Sequence, residues 1–185
     1  MAKSFSVSVL NASLNHIVNN SLLLTVCSIQ PADFYAGVYP AARANLMAYT
    51  VGNVVRPTPW NQFVYKCTTG GTSGASAPVW PTTAGATVGD GTVTWTAVAS
   101  ALLAETSMTT ADFGAIVTTA GGQELPVLAI SGILSVAAGN GTYVAFLDTV
   151  NYDMPMVDPL TATIVVPNPG TVNLNAFTIT IDQPV

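Results

Sequence analysis

The chain has 185 residues, 50% hydrophobic and 7% charged, with four Lys/Arg against nine Asp/Glu and a formal net charge of −5. So few cations leave no electrostatic footprint for a nucleic-acid backbone, where several Lys/Arg contacts carry the affinity. The longest apolar runs, Leu22–Val26 and Ile164–Val166, fall far short of the roughly 20 residues of a membrane span, so neither nucleic acid nor membrane is an expected partner.

Lys3 is followed by Ser, Asn and His rather than an uninterrupted apolar stretch, and no signal peptide is expected. From Ser6 to Asn19, Leu10, Leu14, Ile17 and Val18 recur at helical spacing, and Asn19-Asn20 makes a stop. Leu22–Ile29 then reads as a buried strand closed by Gln30 and Pro31, followed by a loop from Asp33 to Pro40.

Residues 48–99 form a turn-rich cassette that interrupts an otherwise continuous sequence, so the chain divides into 1–47 (host), 48–99 (inserted β-module) and 100–185 (host). Its pattern is Tyr49, Gly52, Val54-Val55, then Phe63-Val64-Tyr65-Lys66-Cys67, a Gly/Ser/Thr-rich loop, Pro78-Val79-Trp80-Pro81 and Gly91-Thr92-Val93-Thr94-Trp95. The cassette holds Arg56, Lys66 and Asp90, whereas the host holds Lys3 and Arg43 against eight acids. Cys27 and Cys67 fall one in each part, inside apolar runs, and read as separate buried thiols rather than a disulfide.

The host resumes at Ala101 with strands predicted over Ile116–Thr119, Val127–Ile130, Ile133–Val136, Tyr143–Asp148, Ala162–Val166 and Val172–Ile181. Turns are predicted at Gly121-Gly122, Gly139-Asn140-Gly141 and Pro167–Gly170. Short strands at this spacing predict a mainly β fold, a β-sandwich or barrel host with one N-terminal helix, interrupted by the small β-module.

No enzyme site is legible. His16 reads as a partly exposed structural histidine, since no nucleophile pattern accompanies it. The spacing of Asp148, Asp153 and Asp158, with Pro155 and Pro159 between, matches no calcium loop, and these acids read as solvated loop residues or an intersubunit contact. Glu105 and Asp112 flank a Thr-rich turn, where carboxylates ordinarily cap backbone donors. Neither a phosphate loop nor a metal-ligand cluster appears, so no enzyme activity and no cofactor is expected.

The cassette's aromatic-x-x-Gly-x-x-Val strand, Tyr-x-Cys strand and late tryptophan resemble the small β-modules of the chitin-binding type. It departs from them by inserting Arg56-Pro57-Thr58-Pro59-Trp60-Asn61 and by lengthening the loop before Trp80. Trp95, beside Val93 in an alternating strand, and Tyr49 are expected in the core. Trp60 and Trp80, in proline-flanked loops, are expected to be more exposed and, helped by Tyr65, to form the platform on which a glycan would stack.

In the host, Val9-Leu10-Asn11-Ala12-Ser13-Leu14-Asn15-His16-Ile17-Val18-Asn19-Asn20, Leu24–Pro31, Gly141–Asp148 and Thr171–Ile181 resemble small structural proteins of tailed bacteriophages. That resemblance implies a non-enzymatic, multicopy virion component, a capsid decoration or cement protein. It would be assembled in the bacterial cytoplasm and bound to the major capsid protein or other virion subunits, with the module projecting outward toward cell-surface glycans. The alternative is a receptor-binding or tail-fibre-associated glycan-binding adhesin. A surface so poor in charge is expected to bury an apolar patch against other copies or other virion subunits, with Leu22–Val26 or the closing strand near that contact.

Overall fold

The computed structural model describes residues 6–20 and 23–182. Helix α1 is Val7–Asn20; of the four residues at helical spacing it buries Leu10, Leu14 and Ile17, and Val18 is half-buried. Leu22, counted into the first predicted strand, lies outside the described residues; strand β1 is Leu23–Cys27 and buries four consecutive side chains. Burial without alternation means that both faces of the strand are covered. The predicted loop Asp33–Pro40 contains a short helix, α2, Phe34–Gly37, whose start is fixed by the Asp33 side chain accepting the Ala36 N–H at 3.1 Å. One turn of helix is too short to leave a periodic signature.

The inserted segment supplies β2 (Ala48–Tyr49), β3 (Val54–Val55), β4 (Phe63–Thr69), β5 (Gly71–Thr72), β6 (Thr87–Asp90) and β7 (Val93–Ala99). The host continues with β8 (Leu102–Ser107), β9 (Val117–Thr118), β10 (Gly122–Val127), β11 (Ile130–Ser135) and β12 (Gly139–Asp148). It closes with β13 (Asp153–Val166), β14 (Thr171–Leu174) and β15 (Phe177–Asp182). A six-stranded sheet in the order β13-β12-β1-β8-β11-β14 and a three-stranded sheet β15-β10-β9 belong to the host; β3-β4-β7-β6 and the pair β2-β5 belong to the module.

The two host sheets and α1 enclose one core: Leu24, Val26, Val144 and Phe146 from the larger sheet, Leu125 and Ile179 from the smaller, Leu14 and Ile17 from the helix. The fold is therefore mainly β with a sandwich-like host and one main N-terminal helix, as the sequence predicts. The opposite face of the larger sheet is covered as well, by Phe34 and Val38 packing on Ala145 and Leu147. The module has its own core of Val55, Tyr65, Cys67, Val93, Trp95 and Ala97.

Several predicted boundaries shift, each for a local reason. The Val172–Ile181 run is two strands, β14 on the larger sheet and β15 on the smaller, because the chain crosses between sheets at Asn175-Ala176. Gly139 and Gly141 start β12 rather than a turn: a Cβ on Gly141 would meet Val26 Cγ1 at 2.5 Å, so glycine serves close strand packing there. Val127 ends β10 and Ile130 begins β11, instead of sharing one strand, and Ala162–Val166 is the end of the much longer β13. Strand β8, whose Leu-Leu-Ala-Glu-Thr-Ser gives no alternation, was not predicted. Asp153 and Asp158 lie in β13, not in loops, and Asp148 is buried, accepting the N–H groups of Val150 and Asn151. Finally, β1 lies between β12 and β8 and has no free edge, so the part of the expected Leu22–Val26 contact that is described, Leu23–Val26, is not open to strand addition, whereas the closing strand β15 does sit at a sheet edge.

The chain leaves and re-enters the host at one place, since the Ala101 N–H donates to the Ala36 carbonyl at 2.8 Å. Residues 41–47, read as host, bond into the module: Ala42 bridges Arg56, Leu46 N donates to Gly74 O, and Met47 N donates to Ser73 Oγ. Replacing residues 41–99 with a short Gly/Ser linker should therefore leave the sandwich folded, giving a cooperative thermal melt with a β-type circular dichroism spectrum. An unfolded product would mean that the two cores do not stand apart.

Candidate functional site

The expected platform residues are not gathered on one surface. Period-two alternation in β4 sends Phe63, Tyr65 and Cys67 to one face, toward the module core. Tyr65 is consequently fully buried; its hydroxyl accepts from Asn61 Nδ2 at 2.8 Å and donates to the Pro81 carbonyl at 2.9 Å. Its ring anchors the Trp80 loop from beneath and is not available to stack on a ligand, contrary to expectation. Trp80 is half-buried, 4.2 Å from Tyr65 and 6.3 Å from Trp95 between ring centroids. The residue beside it, Val79, is 93% exposed. Trp60 is also half-buried but belongs to a different cluster, edge-on to Tyr39 at 5.1 Å, with its Nε1 buried and unpartnered within the protein. Trp95 is fully buried in the core as expected, and Tyr49, expected there too, is half-buried and packs against it, edge-on to Trp95 at 4.9 Å.

What holds this small core together has no signature in the sequence pattern. Arg43, sent into the module by the 41–47 segment, forms a buried ion pair with Asp90: Nε to Oδ2 at 2.9 Å and NH2 to Oδ1 at 2.6 Å. The same carboxylate accepts the Gly74 N–H at 2.9 Å and Trp95 Nε1–H at 3.1 Å. Burial alone would raise its pKa, but the Arg43, Gly74 and Trp95 donors outweigh it and hold the carboxyl below its ordinary value. Arg43 also donates to the carbonyls of Gly74 and Ser76 and to Asn45 Oδ1. One ion pair thus ties the entering segment, the Gly/Ser loop, the β6 end and the central tryptophan together.

A second cluster joins module to host. The Arg56 guanidinium lies over the Tyr39 ring at 4.5 Å and the Lys66 ammonium over the Tyr35 ring at 3.9 Å. The Tyr39 N–H donates to Glu105 Oε2 at 3.2 Å, so Glu105 does serve a backbone donor, though one far along the chain from the Thr-rich turn. Asp112 closes that turn itself, in a capping box with Thr109.

On the host, α1 and the two edge strands β13 and β15 border a surface groove of ≈ 780 Å³, lined by Val9, Ala12, Ile17, Met156, Ile179 and Ile181 among others. The exposed His16, which pairs with Asn20 on its own helix, lies at its rim. Cys27 and Cys67 are free and buried, burial pushing the Cys27 thiol up to about 11, so neither is a nucleophile in waiting. Among the described residues no three His, Cys, Asp or Glu side chains form a metal-holding group, and no helix is long and apolar enough to cross a membrane. No protein-family model, curated protein or solved structure matches the chain.

Two substitutions separate these clusters. Arg43→Met should cost about 3 to 5 kcal/mol, because it strands the Asp90 carboxylate in the interior, and pairing it with Asp90→Asn should recover part of that loss in thermal denaturation. Trp95→Ala should cost about 3 to 5 kcal/mol as a large-to-small core change, while Trp60→Ala costs distinctly less in the same melts. Equal losses would place Trp60 in the module core.

Proposed function

We propose that the chain is a multicopy structural subunit of a bacteriophage virion, a capsid decoration or cement protein whose host part binds the particle and whose module projects from it. The groove between β13, β15 and α1 carries this reading. It is an apolar opening at the two sheet edges of a chain only 7% charged, where a docking subunit would cover surface that is otherwise costly to leave in water. Strand edges beside it offer unpaired backbone groups to the same neighbour. The resemblance of the α1, β1, β12 and closing-strand sequences to phage structural proteins supplies the kind of particle.

The adhesin reading draws less support. Its platform needed Trp60, Tyr65 and Trp80 side by side, whereas Tyr65 is buried and the two tryptophans belong to separate clusters. Glycan contact, if it occurs, falls to Trp60 or Trp80 singly, and a single half-buried indole is a weak hold compared with a row of them.

Copy number tests the proposal directly. Quantitative mass spectrometry and imaging of purified particles should find the protein in hundreds of copies spread over the shell; a few copies confined to one vertex would favour the adhesin. Val9→Asp, at an exposed groove position, should weaken rebinding to depleted particles at least tenfold with little change in melting temperature.

A further inference from the structure

We propose that the closing strand β15 is an open edge onto which a partner protein adds an extended, lysine- or arginine-bearing strand, whose apolar side chains fill the groove beside α1. On the reading above that partner is a neighbouring virion subunit, and the inference rests on that reading for the partner's identity. The groove is one end of a longer slot. Pro155 and Met156 of β13 line it together with Ile179 and Ile181 of β15. Further along, Leu160 and Ile164 of β13 line a second opening of ≈ 440 Å³ with Phe177 and Thr178. The two strands thus run past each other in opposite directions, unpaired, as outer strands of different sheets. Met156, Leu160, Ile164, Phe177 and Ile181 pack on the sandwich core, yet along this slot they stay half-buried. A strand with an apolar residue at every second position would complete their cover.

The edges that border the slot are not equally open to pairing. Strand β13 carries Pro155 and Pro159, which donate no N–H, and its register on β12 breaks between Pro159 and Ile164. Such features keep an edge from accepting another strand. Strand β15 has none of them: Phe177–Asp182 pairs regularly with β10 throughout, without proline, glycine or bulge. Thr178 and Thr180 are exposed, while Phe177, Ile179 and Ile181 turn inward. Every second residue of β15 turns its N–H and C=O away from β10, at the open edge. The remaining host edges are shorter, two residues in β9 and four in β14.

Charge selects the occupant. All four Lys and Arg precede residue 67, so no host strand carries a cation. Asp158 lines the second opening, Asp182 ends β15, and Glu124 lies opposite Thr180 on β10. A second copy of this chain, with its net charge of −5, would bring more acid to the edge. A strand with Lys or Arg at its outward positions is instead drawn to it. The occupant is therefore a basic, extended segment of another protein, held by main-chain pairing and sorted by its alternate side chains.

The test uses the full chain and two probes: particles depleted of it, and an acetylated, amidated octapeptide of alternating lysine and valine. Hydrogen exchange is measured at one pH with and without each probe and read residue by residue by NMR after quenching. Alternate β15 amides should gain about tenfold protection or more near saturation, while the Phe146 amide, on a strand paired on both sides, stays unchanged. Raising salt from about 0.05 to about 0.5 M should weaken the peptide severalfold, and glutamate in place of lysine should abolish its binding. N-methylation at the valines or at the lysines blocks opposite edges of the peptide strand, so one form should bind and the other lose about tenfold or more in affinity. No peptide binding, binding without protection of β15, equal binding by the glutamate peptide, or equal behaviour of the two methylated forms would each overturn strand addition. Attachment to particles with no gain at β15 would overturn it too and leave the groove as the particle-binding surface. A β15 response to the peptide without attachment to particles would uphold the open edge and remove the virion reading.

Discussion

The double burial of β1 and β12 is the constraint from which the rest of the architecture follows. On one face Leu24, Val26, Val144 and Phe146 belong to the sandwich core, and on the other Ala145 and Leu147 need cover of their own. The short α2 segment supplies it with Phe34 and Val38, although a single helical turn has almost no intrinsic stability and persists only through such packing. The same segment is the road into the module. Covering the second face of the sheet and attaching the module are therefore one structural act, and the tyrosines of the seam, Tyr35 and Tyr39, sit where both are accomplished.

The module meets a different difficulty. Its core is a handful of side chains around Trp95, below the size at which hydrophobic burial alone secures a domain, and it has no disulfide or metal as a staple among the described residues. Arg43 and Asp90 fill that role by geometry. A buried ion pair is not in itself strongly stabilising, but with five further hydrogen bonds, to Asn45, Gly74, Ser76 and Trp95, it fixes which loops lie together. Arg43 reaching in from outside the apparent boundary also shows why repeated turn signals are a poor guide to where an insertion begins.

Elements whose pattern is intrinsic were legible in the sequence. Helix α1 has a clear period, β1 is a dense apolar run, and Trp95 alternates beside Val93, so their class and burial could be read directly. What escaped depended on tertiary contact. Strand β8 is a strand because β1 and β11 flank it, and Gly141 is in a strand because Val26 presses against it. Tyr65 was expected to help the Trp60 and Trp80 platform, yet it lies in the core with its hydroxyl satisfied by Asn61 and by a carbonyl sixteen residues away. The proline-flanked tryptophans were rightly placed in loops, but a loop position says nothing of which neighbour the indole will lean on.

The hydrogen bonds from Ala101 and Ser100 to the Ala36 carbonyl close the neck of the insertion, and that neck separates two timescales of folding. Within the neck the paired strands, β4 with β7, β6 with β7, β3 with β4 and β2 with β5, lie no further apart along the chain than Phe63 and Ala99. Outside it, Leu23 must wait for both Ser107 and Leu147 before its strand has neighbours. Local pairings cost little loop-closure entropy and form quickly, whereas the non-local sheet cannot assemble until its distant strands exist. During synthesis the module can complete itself while the host's first strand is still waiting for partners. By drawing residues 36 and 101 together, the finished module shortens the loop that the host must close.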